Sequence, residues 1–339
     1  MRRAARQNGS VSAAALVLLV ILSAFSAASV ALLRALQSYE RRSEERSAGR
    51  EELRRIAEET IKRMTQDPTP LSDSPLDPVW AWIGMPREDG VTVELEDISS
   101  ALNPNWIQKN ILAKTGLGDL LFPGRSPDEL QQRREDEGFF TDILRAYGDL
   151  FREGALEAYF SGYGYANVNT TDEFALRKLY LLRTGDAVGS EEFHARIQEA
   201  LVARRIVGSE ELQSFLGEAY AKLYPVVNAE PILNVHFADP LVLGELLAYP
   251  DWGVRDPQEA LGTLISTRQG AELTAQELRR IIGEAHDSRI HQYLGVRSWF
   301  WKVTVSRGAE RLEIVLARLP PEAEEESPRL LVVEERHSP

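Results

Sequence analysis

The most distinctive pattern in the chain is a run of apolar residues near its start. Residues 11–33 carry no charged side chain, and a helix of that length can cross the roughly 30 Å hydrocarbon core of a bilayer. Beyond the run, apolar residues recur at helical spacing among charged ones. The pattern predicts an N-terminal helix over residues 10–66, transmembrane in its first half and amphipathic in its second.

The residues before this run predict how the chain is processed. A basic leader, residues 1–9, ends in Gly9, and Ser10 opens the apolar run. A cut after Gly9 would remove the leader's charges and keep the apolar helix. Ordinary secretory signals are instead cut after their apolar part, at a small-x-small site, and residues 24–28 offer one. A plain signal peptide or an uncleaved anchor is therefore the alternative to cleavage between Gly9 and Ser10.

Strand signals occur in two regions that are far apart in the sequence. Apolar and polar residues alternate over 91–95, and they alternate again over 299–305 and 312–316 on either side of a turn at 306–310. Alternation with a period of two predicts strands with one buried face, and the second region predicts a β-hairpin. We therefore expect one small sheet built from both regions, which gives an α+β fold class.

The remaining segments follow from breaker residues and helical periodicity. Residues 67–78 are a linker rich in Pro, Ser and Asp, and residues 103–291 show mainly helical patterns. We expect residues 67–102 and 292–319 to form the α/β domain, with 103–291 inserted as an α-helical domain. The acidic tail, 320–339, is expected to be loose, with Leu330–Val333 as a possible edge strand.

An internal repeat lies inside the predicted helical domain. Residues 166–172 align with residues 233–239 at an offset of 67 positions, and apolar helical positions follow each copy. Both contain an asparagine that can bind nearby backbone N–H groups ahead of a helix. A cruder copy follows the first strand at Asn103 and Asn105. The repeat predicts similar helical hairpins packed together.

Several of these features together resemble the K-type minor pseudopilins of type II secretion. The resemblance rests on the leader, the anchor, the closing Ser298-Trp299-Phe300 segment and a set of short motif residues, and it covers roughly residues 1–318. It implies a type IV pilin-like fold, a long N-terminal helix plus a small antiparallel sheet, interrupted by a large helical domain. The motif residues, expected to be structural, are Asp97, Asn103, Asn105, Asn167, Asn169, Thr170 and Asn234.

The resemblance also implies a function and partners. A prepilin peptidase would cut between Gly9 and Ser10, and Ser10 would be N-methylated. The protein would then sit in the inner membrane through residues 11–33, with its C-terminal domain in the periplasm. It would cap the tip of a secretion pseudopilus with I-type and J-type minor pseudopilins on the inner-membrane secretion platform. No catalytic residues are expected, and calcium is a possible ligand.

One departure from ordinary pilins points to the filament tip. In those proteins the fifth mature residue is a glutamate thought to pair with the N-terminal amine of a neighbouring subunit. Counting from Ser10, the fifth residue here is Ala14, and no acidic residue occurs between Ser10 and Glu40. A subunit without this glutamate resembles the K-type pattern and suits the first position in a filament.

Charge and composition exclude most other functions. The formal net charge is −13 and there are no cysteines, so nucleic acid is repelled and disulfides are absent. The five histidines show no zinc-site spacing, and no phosphate loop or catalytic serine elbow occurs. The asparagine motif also resembles helix-hairpin-helix DNA-binding modules, but its following turns are acidic. The runner-up hypothesis is a membrane-anchored exported binding protein whose helical domain holds a ligand or DNA.

Overall fold

A computed structural model describes most of the chain after the apolar run. It covers Gln37, Tyr39 and residues 47–69, 71–87, 90–121, 123–224, 226–319 and 329–338. Gly9, Ser10, Ala14 and the predicted membrane span lie outside these residues. Within the part that is described, no helix is long and apolar enough to span a membrane. The chain divides into two units, 1–55 and 56–339; the described residues of the first are helical.

The second unit contains a four-stranded antiparallel sheet in the order β1-β6-β7-β8. Its strands are β1 (Val91–Asp97), β6 (Phe300–Arg307), β7 (Glu310–Arg318) and β8 (Leu330–Ser338). β1 pairs with β6, so that Val93 lies opposite Val305, although residues 98–299 separate the two strands in the chain. The predicted α+β class with a small antiparallel sheet is confirmed.

The sheet follows directly from the alternation in the sequence. Along β1, Val91, Val93 and Leu95 are buried while the residues between them are exposed. In β7, Leu312, Ile314 and Leu316 continue the same buried face. The two-residue connection between β6 and β7 needs a positive φ, which Gly308 supplies at 59°.

A helix over residues 56–65, α1, precedes the sheet in this unit. Its residues Ile56, Ala57, Thr60 and Met64 are buried and share one side of a helix by their spacing. Met64 lines a small cavity together with Leu95 of β1 and Trp301 of β6. The apolar side of α1 therefore lies against the buried face of the sheet.

Residues 98–299 are mainly helical. The α-helices of the second unit after α1 are α2 (Pro78–Ile83), α3 (Lys109–Lys114), α4 (Gly116–Leu121), α5 (Pro127–Glu137), α6 (Ile143–Tyr147), α7 (Ala155–Tyr159), α8 (Glu173–Thr184), α9 (Ala187–Val202), α10 (Ser209–Leu216), α11 (Tyr220–Leu223), α12 (Pro240–Leu247), α13 (Pro257–Arg268), α14 (Ala275–Ile282) and α15 (Ile290–Tyr293). Two-residue strands punctuate them: β2 (Ala166–Asn167), β3 (Val227–Asn228), β4 (Leu233–Asn234) and β5 (Leu294–Gly295).

These short strands close three successive repeats in the described helical part. The first repeat, 102–160, ends where Leu102 and Phe160 form a parallel bridge. The second, 166–227, closes through parallel pairing of β2 with β3, and the third, 233–294, through β4 with β5. Each repeat thus returns to pair with its own first residue. One apolar core joins residues of the first and third repeats, and a second core belongs mainly to the second.

Two expectations differ from the structure. The apolar period of Thr141–Arg152 predicts one helix, but α6 ends at Tyr147 and α7 begins only at Ala155. Gly148 follows the end of α6, and Gly154 starts α7 with φ 77°, so two glycines interrupt a continuous apolar period. The tail 320–339 was expected to be loose, with an edge strand offered only over Leu330–Val333; a strand does form there, and it is longer, since β8 covers residues 330–338 on the sheet.

Candidate functional site

The asparagine motif forms the same turn in each repeat. In the second repeat the Asn167 side chain accepts the Asn169 amide at 2.7 Å, and its backbone oxygen accepts the amides of Thr170 and Thr171. Asn234 does the same toward His236, Phe237 and Ala238, and Asn103 toward Asn105, Trp106 and Ile107. In the second and third repeats an aspartate then caps the following helix, Asp172 on α8 and Asp239 on α12.

The second asparagine of the motif forms two hydrogen bonds to a distant loop of its own repeat. Asn105 accepts the Phe140 amide at 3.1 Å and donates to the Phe140 oxygen at 2.9 Å. Asn169 likewise accepts the Val207 amide at 2.8 Å and donates to the Val207 oxygen at 3.0 Å. A side-chain amide with one acceptor and one donor group suits this two-way bond to a single residue's backbone.

His236 takes this place in the third repeat. Its Nε2 accepts the Leu273 amide at 3.0 Å, while its Nδ1 has no partner among the described residues. The imidazole thus reproduces the accepting half of the asparagine contact. Burial lowers the pKa of His236, and the charge of Arg268 lowers it further, so the ring is held in its neutral form. In the sequence this position is visible only as a difference between the repeats, since Asn167-Val168-Asn169 aligns with Asn234-Val235-His236.

In the second and third repeats, the first asparagine of the motif also joins its repeat to another part of the protein. The Asn167 amide donates to the Glu230 oxygen at 2.5 Å and to Gln292 Oε1 at 3.2 Å. Asn234 donates to the Asp73 oxygen at 2.8 Å and to Ser298 Oγ at 2.9 Å. The second repeat is therefore tied to the third, and the third to the α/β part.

Two motif residues keep unsatisfied groups. The amide nitrogen of Asn103 and the hydroxyl of Thr170 have no hydrogen-bond partner among the described residues. Thr170 instead contributes its backbone oxygen, which accepts the Tyr293 hydroxyl at 2.7 Å. Asn103 lies beside Gly164 in the wall of a cavity with a volume of about 20 Å³, which is about the space that one water occupies.

Asp97 lies at the end of β1 and accepts hydrogen bonds from three serines. Its carboxylate accepts the Ser99 amide and hydroxyl at 2.8 and 2.7 Å and the Ser298 hydroxyl at 2.5 Å. Ser100 also donates to it through its hydroxyl and its amide. Burial of the carboxylate raises its pKa, and the serine hydrogen bonds oppose that shift. Asp97 therefore connects β1 to the start of β6.

A buried ion pair lies next to this network. Both terminal nitrogens of Arg318 donate to the Asp73 carboxylate at 2.6 Å, and both side chains are almost fully buried. Ser298 adds its backbone amide at 2.8 Å. Burial raises the pKa of Asp73, while the Arg318 charge and these hydrogen bonds oppose the shift. The pair joins the linker after α1 to the end of β7.

Asp73 belongs to the one group of acidic side chains in the described residues with metal-like spacing. Ligand atoms of Asp67, Asp73 and Asp77 all lie within 4.8 Å of one another, around a cavity of about 30 Å³ that Arg318 also lines. Burial raises the pKa of Asp77 to about 7, and the charges of Asp67 and Asp73 add to the shift, while hydrogen bonds from Ser74 oppose it.

This group does not fit a calcium ion. Calcium needs six to eight oxygen ligands, but both Asp73 oxygens accept from Arg318 and both Asp77 oxygens accept from Ser74. The guanidinium of Arg318 already supplies positive charge at this place. The cluster is therefore an ion-paired network in which burial favours the protonated form of Asp77. It supplies no ligand set for the expected calcium ion.

No pattern in the sequence predicts the role of Asp73, whereas the position of Arg318 does carry a signal. Asp73 sits in a linker whose composition predicts only irregular structure. Arg318 follows Leu312, Ile314 and Leu316 at the same two-residue spacing, which places it on the buried face of β7. A charge on that face predicts a buried partner. Of the predicted motif residues, Asp97 and Asn234 meet through Ser298. Asn167, Asn169 and Thr170 contact residues of the third repeat, and the hydrogen bonds of Asn103 and Asn105 among the described residues stay within the first.

No protein-family model matches the chain, and no curated protein does. Among solved structures, a chain from the GspK-GspI-GspJ complex of the enterotoxigenic Escherichia coli type 2 secretion system is similar to this one. The two share 14% sequence identity over 86% of this chain and 98% of that chain, with a TM-score of 0.37. We draw no conclusion about this chain from a similarity of that size.

Proposed function

We propose that the protein is a minor pseudopilin that helps to initiate and cap the tip of a type II secretion pseudopilus. The observation that carries the proposal is the pairing of β1 with β6 across residues 98–299. A helix, α1, precedes a small antiparallel sheet, and a large helical part leaves and re-enters that sheet. This is the arrangement that the K-type resemblance implies.

The N-terminal sequence supports the same proposal. Gly9 stands directly before an uncharged run long enough to span a bilayer, and the leader's charges all lie upstream. We propose that a prepilin peptidase cuts after Gly9 and that Ser10 becomes the methylated N-terminus. The protein is then a single-pass inner-membrane subunit with its folded part in the periplasm.

Position at the tip explains the missing glutamate. A carboxylate buried in a helical bundle is tolerable only when paired, and a tip subunit has no subunit ahead of it to supply the pair. Ala14 at the fifth mature position avoids that cost. We propose I-type and J-type minor pseudopilins and the inner-membrane platform as partners, and a structural role without catalysis.

Immunogold labelling of pseudopili tests this proposal. Labels on this subunit should appear at filament ends, and Ala14→Glu should reduce the number of filaments by burying an unpaired carboxylate. Ser43→Glu, which adds the same side chain beyond the apolar run, is the matched control and should leave the number unchanged. Labels spread evenly along filaments would contradict the tip position.

A second candidate function is favoured by one observation. A groove of about 600 Å³ lies between the sheet and the helical part, as expected of a membrane-anchored exported binding protein. The two candidates separate in a deletion strain: loss of pseudopili supports the pseudopilin, and normal pseudopili support the binding protein.

A further inference from the structure

The outer edge of β1 carries backbone groups that pair with no strand in the described part of the chain. Among the described residues β1 pairs with β6 alone and is one edge of the sheet. Just beyond the strand, the Ile98 amide donates to the Phe300 oxygen at 3.0 Å. Along an antiparallel strand, residues whose N–H and C=O groups bond the neighbouring strand alternate with residues whose groups point away from it. Counting back from Ile98, Val93 and Leu95 direct their N–H and C=O groups away from β6.

The groove of about 600 Å³ begins at the end of this edge. Glu96, Asp97 and Ile98 line it, with residues from the range 141–163, in the first repeat and just after it, on one side and residues from 237–242 of the third repeat on the other. Tyr163 of the first wall contacts Phe300, and Phe237 of the second contacts Trp301.

Those two contacts show how the groove runs. Phe300 and Trp301 are consecutive residues of β6, so their side chains point to opposite faces of the sheet. The two walls therefore lie on opposite faces, and the groove passes around the edge of β1. An extended segment paired with β1 would continue directly into it.

The groove has an apolar floor. Ile143, Leu156, Phe160 and Val242 are buried there, and Leu144 stands at the surface with half of its area exposed. Apolar side chains at alternate positions of an incoming strand would find contacts on this floor, while the strand's backbone pairs with the edge.

The charges along the edge and groove are mainly acidic. Glu94 and Glu96 are exposed on β1, and Glu157 and Asp239 line the groove. The two cations of the groove are already engaged: Lys302 pairs with Glu96 at 2.5 Å, and Arg268 donates to the oxygens of Val235 and Ala238. A basic partner is complementary, whereas a second copy of this acidic edge would be repelled.

We propose that the outer edge of β1 and the adjoining groove bind an extended, basic segment of a partner protein. The segment adds a strand to β1, places Lys or Arg side chains opposite Glu94 and Glu96, and inserts apolar side chains into the groove. The proposal goes beyond the pseudopilin assignment and does not depend on cleavage after Gly9.

A peptide titration of the full-length chain in detergent micelles tests the proposal. The probe is a fluorescent, acetylated and amidated peptide of sequence Thr-Lys-Val-Lys-Val-Lys-Thr, with Thr-Glu-Val-Glu-Val-Glu-Thr as its charge-reversed control. The basic peptide should bind at least about tenfold more tightly, since like charges repel the acidic one. Equal binding of the two peptides, or no binding of the basic one, would overturn the proposal.

Hydrogen exchange locates the bound peptide. The amides of Val93 and Leu95 should exchange rapidly in the free protein, because they point away from β6, the strand that pairs with β1 in the described part of the chain. They should exchange slowly in the complex, because the incoming strand accepts from them. The amides of Glu94 and Glu96, which face β6, should be protected in both states. Unchanged exchange at Val93 and Leu95 with saturating peptide would contradict strand addition.

Matched variants separate the edge from general electrostatics. Glu94→Lys should weaken binding of the basic peptide by about tenfold. Ala158→Trp, at an exposed position of the groove, should also weaken its binding, because the larger side chain obstructs entry. Glu192→Lys makes the same charge change at an exposed position of α9 and should leave binding unchanged. An equal loss in Glu192→Lys and Glu94→Lys would show that net charge alone attracts the peptide.

Discussion

His236 accepts the backbone amide of Leu273 at 3.0 Å, in the place where Asn169 accepts the amide of Val207 in the second repeat. The two contacts span similar distances along the chain and close equivalent loops. In each repeat of the helical part, a polar side chain therefore accepts a backbone amide of a distant loop. The side chain is an asparagine in the first two repeats and a histidine in the third.

Truncation at this position tests how much this hydrogen bond stabilises the fold. His236→Ala leaves the buried Leu273 amide without an acceptor and should lower the free energy of unfolding by about 1–3 kcal/mol. His236→Asn can restore the acceptor and should lose less. Urea unfolding of the two variants measures the difference; equal losses would mean that packing of the ring, not its hydrogen bond, matters.

The same histidine predicts a loss of stability in acid. Its folded pKa is lowered by burial, so between its unfolded pKa of about 6.5 and the folded value the unfolded chain binds more protons. Stability is then complete above about pH 6.5 and falls as the pH drops below it. In His236→Asn this part of the pH dependence should disappear. An identical fall in the variant between pH 7 and 5 would refute the prediction.

The Asp73–Arg318 pair should be costly to break from one side. Arg318→Met leaves an uncompensated buried carboxylate, which we expect to lower the free energy of unfolding by about 3–5 kcal/mol. Adding Asp73→Asn removes that charge and should recover much of the loss. Thermal unfolding of both variants checks this; a double variant less stable than Arg318→Met would show that the carboxylate is tolerated alone.

Asp77 predicts the opposite pH dependence to His236. Its folded pKa is raised from 3.8 to about 7, so between those values the folded state binds more protons than the unfolded state. Its contribution to stability is complete below about pH 3.8 and is lost as the pH rises toward 7. Asp77→Asn should therefore gain stability relative to wild type at pH 8 and not at pH 4. A constant difference across that range would contradict this.

Calcium should not stabilise the acidic cluster. The Asp73 and Asp77 oxygens are already engaged by Arg318 and Ser74, and a ligand raises stability only by binding the folded state. The melting temperature should be the same in excess calcium and in excess chelator. A rise with calcium that Asp77→Asn abolishes would place an ion in this cluster.

The sheet could be predicted because its signal is local. Buried and exposed residues alternate along β1, and the apolar residues Val303, Val305, Leu312 and Ile314 keep the same spacing in β6 and β7, so the period of two is visible in the sequence. β8 was indicated only over Leu330–Val333, because the acidic and proline-rich residues before it dominate the composition of the tail and the residues after it are polar. The helix predicted over Thr141–Arg152 was too long because its apolar period continues across Gly148, whereas α6 ends at Tyr147.

The motif residues could be found, but their contacts could not. The repeat offset identified Asn167 and Asn234, and the spacing within the motif predicted the turn. Partners such as Val207, Leu273 and Ser298 lie tens of residues away and follow only from the closed repeats. Asp73 and Arg318 are 245 positions apart, so no local pattern links them.

The mature N-terminus tests the central claim most directly. Mass spectrometry of the protein extracted from membranes should show a chain that begins at Ser10, with one added methyl group, and retains residues 11–33. A chain that begins within residues 27–29, or one that still carries the leader, would contradict the assignment as a processed minor pseudopilin.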